Sequence, residues 1–148
     1  MGLPLLTLLV FTPLVGAGLL ALLPHEPVGG VRRAALVFAL VPFGISLVVL
    51  RQFTAGVADF QLVERAAWIA QWGIEYRLGI DGVTVFLVLL TTFLTPVVVL
   101  AAWGDVHTRV KEFFALLLVL ETGMIGTFLA TDLFLFYVFW EVMLIPMA

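Results

Sequence analysis

Long apolar runs separated by short polar breaks dominate the chain, and their spacing predicts an all-α, multi-pass membrane protein. A span needs about 20 apolar residues at a rise of about 1.5 Å each. Runs with little or no charge fall at about 3–23, 34–50, 83–103, 113–130 and 133–148, which predicts five transmembrane helices. Pro13 and Pro42 interrupt the first two. Neighbouring groups re-satisfy a carbonyl freed by proline in a membrane helix, so both read as kinks. In the third, Thr91, Thr92 and Thr95 precede Pro96. Their hydroxyls are expected to bond carbonyls of the preceding turn, with a hydroxyl-lined water path as the lesser reading.

The one long polar break, 52–82, has a different period. Ile74-Glu75-Tyr76-Arg77-Leu78 alternates apolar with charged, and Phe60-Gln61-Leu62-Val63-Glu64 does so more weakly. Alternation of this kind predicts a small β-hairpin. It would lie on the membrane surface with Trp68 and Trp72 at headgroup depth. A loop with a short amphipathic helix is the alternative. Residues 1–148 are therefore expected to form a single transmembrane region, with 52–82 as a periplasmic surface loop.

Composition sharpens this reading. The chain is 64% hydrophobic and 11% charged, with mean hydropathy +1.23, against about 45–50% and 25% in soluble domains. A net charge of −3 leaves no basic footprint for nucleic acid. Without cysteine, disulfides, thiolate metal sites and cysteine nucleophiles fall away. His25 and His107 lie far apart in polar connections without metal-ligand spacing, and no Gly-rich phosphate loop or haem motif occurs. No Lys or Arg precedes the first run, which exceeds a signal h-region in length, so it is expected to be a retained span.

Basic residues orient the chain. Arg32 and Arg33 fill the first short loop, and Arg109 and Lys111 the third. Arg51, Arg65 and Arg77 are diluted by Asp59, Glu64, Glu75 and Asp81 in the second. The positive-inside rule then puts loops one and three in the cytoplasm, and the N-terminus and the 52–82 loop in the periplasm.

Candidate chemistry sits in the last two runs. The stretch from Thr131 to Pro146 is apolar and aromatic except for Glu141, with Thr131 and Asp132 placed to cap its first turn. An acid this far inside an apolar helix marks a functional site by default. Glu121 is a candidate second acid, followed by Gly123 and Gly126, which permit close helix approach. Each acid lies ten residues from Thr131, so a tight helical hairpin would put both about 15 Å from the turn, near the midplane of a core about 30 Å thick. Whether they face each other is left open. A neutral acid that only bonds a neighbouring helix is the structural alternative for both. Phe134, Phe136, Tyr137, Phe139 and Trp140 read as packing and water exclusion. The last run stops about 24 Å into the bilayer at the helical rise, and the chain is expected to be the N-terminal part of a longer one.

The runs Tyr76-Arg77-Leu78-Gly79-Ile80-Asp81-Gly82-Val83-Thr84-Val85-Phe86, Leu89-Leu90-Thr91-Thr92-Phe93-Leu94-Thr95-Pro96, Glu121-Thr122-Gly123-Met124-Ile125-Gly126 and Phe139-Trp140-Glu141 closely resemble the chain M (NuoM-type, mitochondrial subunit four) family of respiratory complex I. The match covers most of residues 68–148, with the motifs in order, and the first two helices agree in pattern. The resemblance implies the N-terminal part of a fourteen-helix antiporter-like subunit with two inverted five-helix repeats. It implies proton transfer by Glu141, paired with a lysine two helices later, beyond Ala148. A further lysine at the channel centre and a charged residue in the second repeat would also lie outside this chain. It implies a subunit of an H+-translocating NADH:quinone reductase with no redox chemistry or cofactor of its own; NADH, FMN, iron–sulfur clusters and quinone would belong to partner subunits. Partners would be antiporter-like neighbours, a lateral helix, the lipid bilayer and protons, in the bacterial inner membrane or the inner mitochondrial membrane. Two alternatives stand beside it. One is a subunit of a multisubunit cation/proton antiporter or membrane-bound hydrogenase; the other is a structural scaffold whose acids only join helices.

Overall fold

A computed structural model describes residues 5–22, 28–53, 61–102 and 110–147. It contains helices α1 (Leu5–Leu22), α2 (Val28–Gln52), α3 (Gly82–Ala101), α4 (Val110–Leu129) and α5 (Leu133–Met147), with strands β1 (Gln61–Ile69) and β2 (Ile74–Ile80) between α2 and α3. The first four helices are long and apolar enough to cross a bilayer, while α5 is a shorter apolar helix. This is a multi-pass membrane protein. Helix α2 starts six residues before the expected Ala34 and takes in Arg32 and Arg33, because a cationic turn costs nothing once it projects into the headgroups. The helices continue through Pro13, Pro42, Pro96 and Pro146. His25 and His107 lie outside the described residues, as does the side chain of Trp68.

The expected hairpin is present. Its strands pair antiparallel, Gln61 with Ile80 and Ile69 with Ile74, with irregularities after Gln61 and Ala67. Gly73 turns the chain at φ +70°, a conformation open to glycine without steric cost. Arg65 stands opposite Arg77, a like-charge pair that would repel. The two guanidinium groups turn to different partners: Arg65 to Glu75 at 2.8 Å, and Arg77 to the Thr131 hydroxyl and carbonyl, each at 2.9 Å. Trp72 is exposed at the hairpin tip.

The hairpin closes one end of the bundle through carboxylates that accept orphan backbone donors. Glu64 takes the amides of Leu6 (2.8 Å) and Thr7 (3.0 Å) at the start of α1, and the Thr7 hydroxyl. Asp132 caps α5 by accepting from Phe134 and Leu135, and its second oxygen accepts from the Glu75 amide of β2 at 3.0 Å. Asp81 caps α3, with Thr84 completing a reciprocal capping box. Of the two expected caps for α5, only Asp132 serves. Thr131 instead joins β2, its amide donating to the Arg77 carbonyl at 3.0 Å. On the opposite end, Lys111 donates to the Ala21 carbonyl in the last turn of α1.

The buried apolar residues form two clusters. One lies beneath the hairpin and includes Leu6, Val49, Leu78, Val85, Ile125 and Phe139. The other lies at the far end and includes Leu20, Ala35, Ala39, Val99, Phe114 and Leu118. Between them along α2, α3 and α4 falls a polar band. Ser46, Thr91, Thr92, Thr95, Glu121 and Thr122 are all at least 92% buried, and they are the buried polar side chains among the described residues.

Candidate functional site

Helix α3 turns its buried face inward at Val85, Val88, Thr91, Thr92, Thr95, Pro96 and Val99, so the helical period puts three threonines on one stripe at mid-length. Each hydroxyl donates to a carbonyl of the preceding turn, Thr91 to Leu87, Thr92 to Leu89 and Thr95 to Thr91, at 2.9–3.1 Å. This is the backbone bonding expected for them. From α2, the Ser46 hydroxyl lies 2.8 Å from that of Thr92. Ser46 and Thr122 were not separable from their apolar neighbours by sequence, since a small hydroxyl residue carries no facing information until the helices are packed.

Glu121 enters this band from α4 with no exposed surface. The Thr95 hydroxyl faces its carboxyl. Neither Glu121 oxygen has a hydrogen-bond partner among the described residues, and nor does the Thr122 hydroxyl. In an apolar interior an unpaired polar group costs several kcal/mol.

Glu141 occupies a different setting. Helix α5 buries Leu135 and Phe139 against α1 and α4, while Glu141, Tyr137, Trp140, Leu144 and Ile145 are exposed on its outer face. Phe139 packs on Phe11 of α1 at a centroid distance of 6.2 Å, so this aromatic serves packing, as expected. The neighbouring aromatics face outward.

The two glycines explain how α4 and α5 meet. A Cβ on Gly123 would lie 2.9 Å from the Met143 backbone, and one on Gly126 2.4 Å from the Phe139 ring. These contacts put Glu141 level with the segment between Gly123 and Gly126. Glu121 therefore lies about one turn, or about 5 Å, farther from the α4–α5 connection. The expectation of equal depth is corrected: helix crossing offsets the register from a symmetric hairpin. The acids do not face each other. Glu121 points into the bundle and Glu141 out of it.

Two acids at mid-helix, one inward and one outward, and a β-hairpin between the second and third helices can be set beside known proteins. No family model matches the chain. It is 44% identical over 147 residues to NADH-quinone oxidoreductase subunit M of Rhodobacter capsulatus, covering 97% of this chain and 28% of that one. It is 40% identical over 139 residues to NADH-ubiquinone oxidoreductase chain 4 of Arabidopsis thaliana, covering 94% and 28%. Its fold matches a chain of respiratory complex I from Thermus thermophilus with a TM-score of 0.76 and 29% identity, over 95% of this chain and 27% of that one. Over nearly its whole length the chain is similar to part of the subunit M and chain 4 proteins. It spans a little over a quarter of the subunit M and chain 4 relatives it matches. That resemblance now extends over nearly the whole chain, including the two helices in which sequence showed agreement of pattern alone.

Proposed function

We propose that this chain is part of a proton-translocating membrane subunit of an NADH–quinone oxidoreductase, in which Glu141 takes up and releases the proton. The observation that carries the reading is the position of Glu141: mid-helix, on the outer face of α5, with no hydrogen bond or ion pair to the described residues. A charged side chain at the bilayer centre costs about 2.5–3.5 kcal/mol on insertion scales, so such a carboxyl is built to be covered by a partner of complementary chemistry. A lysine from a following helix, as the resemblance implies, suits it. A cation beside the carboxylate stabilises its ionised form, and withdrawal of the cation lets the proton return. Moving one proton against 100 mV costs about 2.3 kcal/mol, an amount that a change in one close ion pair can supply.

In this reading NADH, FMN, iron–sulfur clusters and quinone act in partner subunits, and this chain's own residues hold, release and screen the proton. Later helices of the same subunit would complete its fourteen, with antiporter-like neighbours and a lateral helix as partners packed outside it. The hairpin end, with the start of α1 and the α4–α5 connection, faces the periplasm, and the end bearing Arg32, Arg33 and Lys111 faces the cytoplasm. The test is Glu141→Gln in the intact subunit within its complex. The expected result is loss of proton pumping and of coupled quinone reductase activity, with Glu141→Asp retaining part of both. Unchanged pumping by assembled Glu141→Gln complex would sink the reading.

A further inference from the structure

The polar band inside the bundle is not explained by Glu141. Three features of it converge on Glu121. First, the carboxyl is fully buried and its two oxygens are unpartnered among the described residues, as is the adjacent Thr122 hydroxyl. Buried polar atoms in native proteins nearly always have partners. Second, the three α3 threonine hydroxyls, each within hydrogen-bond distance of a carbonyl of its own helix, form a polar stripe beside Glu121. A hydroxyl can either accept from a protonated acid or donate to an ionised one. Third, among the described residues no cation is placed to pair an ionised Glu121. Helices α1 and α3 carry no charged residue, α2 carries only Arg32, Arg33 and Arg51 at its ends, and α5 carries Glu141 on its far face.

We propose that Glu121 is a second proton-exchanging acid of the subunit, positioned by Thr95 and loaded through water within the band between α2, α3 and α4, apart from the α5 face that bears Glu141. Loading forms an O–H bond on the carboxylate as one O–H bond of an internal hydronium breaks, leaving a neutral acid and a water. Unloading is the reverse. The neutral acid can donate to the Thr95 hydroxyl and the ionised acid can accept from it, while water bridges the remaining oxygen to Thr122 and the threonine stripe, the two to four polar contacts that a buried water needs. Two acids about a turn apart in depth and on opposite sides of the α4–α5 contact would hold protons independently. This inference rests on the proton-translocating reading above.

The test uses the full-length subunit in its assembled complex, by turnover-induced difference infrared spectroscopy in H2O and D2O alongside proton pumping in liposomes. The expected result is a carbonyl band of a protonated carboxyl that moves to lower frequency in D2O. It should vanish in Glu121→Gln, shift in Thr95→Val and return in Thr95→Ser. Glu121→Gln should also pump fewer protons per NADH oxidised. A Glu121-dependent band indifferent to D2O, no such band, or undiminished pumping in Glu121→Gln would each overturn the inference. If Glu121→Gln does not assemble, Thr95→Val, which keeps the acid, carries the test through the same D2O-sensitive band. Normal pumping in Glu141→Gln would defeat the earlier reading, whereas a Glu121 band that fails to exchange defeats only this one.

Discussion

The carboxylates at the hairpin end and those at mid-bundle are the same functional groups put to opposite uses. Glu64, Asp81 and Asp132 each accept at least two hydrogen bonds from backbone amides at a helix start. At Asp81 and Asp132 those donors and the positive end of the helix dipole favour the ionised form. The Thr84 amide holds the Asp81 carboxyl below the usual carboxylate range, and the Glu75 amide does the same for Asp132. Glu121 and Glu141 have none of these donors. A carboxylate whose acceptor sites are filled by amides anchors a helix start, and the two mid-bundle acids anchor none. Saturation of the acceptor sites, more than burial, separates the two classes: Glu141 is exposed on α5 and Glu121 fully buried, yet they group together.

The strongest way to break this contrast is to move the helices that separate the two acids. Gly123→Val should force α4 from the Met143 backbone and cost about 3 kcal/mol, the upper part of the overpacking range. Thermal unfolding of the subunit in nanodiscs should show it, with amide exchange in the hairpin little changed. At the capped end, Glu64→Ala should cost roughly 0.5–2 kcal/mol, as for other helix caps, with the Leu6 and Thr7 amides losing exchange protection. Glu64→Gln should retain part of it, because an amide oxygen still accepts. Asp132→Ala should cost about 1 kcal/mol and loosen the α4–α5 connection from β2.

Acidification addresses Asp81 and Asp132 together. Both are more acidic in the folded chain, so their stabilisation is present above the ordinary carboxylate value and is lost as pH falls through the folded one. Amide protection at the α3 and α5 starts, taken relative to the intrinsic exchange rate at each pH, should thus fall below about pH 4 and stay flat from neutrality down to that point. The smallest effect is expected for Arg65→Ala. It removes a solvent-screened pair with Glu75, of the kind that contributes little to stability, and an unfolding midpoint that barely moves is the expected outcome.

The helices were legible because an apolar run of spanning length has few alternatives, and the hairpin because Ile74 to Leu78 alternates at period two. The facing of the acids was not legible. A helix such as α5, apolar nearly all round, has no polar stripe to declare which side turns inward, so Glu141 could be placed in depth but not in direction. Even the depth was off by about a turn, since it depended on how Gly123 and Gly126 set the crossing. The role of Glu64 was hidden for another reason: its donors lie 57 and 58 residues away, and nothing local in the alternating strand marks it as a cap. Thr131 misled because it satisfies the local rule for a cap while a stronger partner, Arg77, claims it from outside.

The cap that Glu64 places on α1 also bears on biogenesis. The ribosome completes α1 and α2 before it makes Glu64, so the first amides of α1 must rest in water or headgroups until the hairpin is translated and delivered to the same side. The α4–α5 connection docks on β2 later still, after two more passages through the translocon. Insertion and final folding are thereby separate events for this chain. A lesion in the hairpin would let α1 insert normally and then leave it unanchored, open to quality-control proteolysis before the helix bearing Glu141 is ever in place.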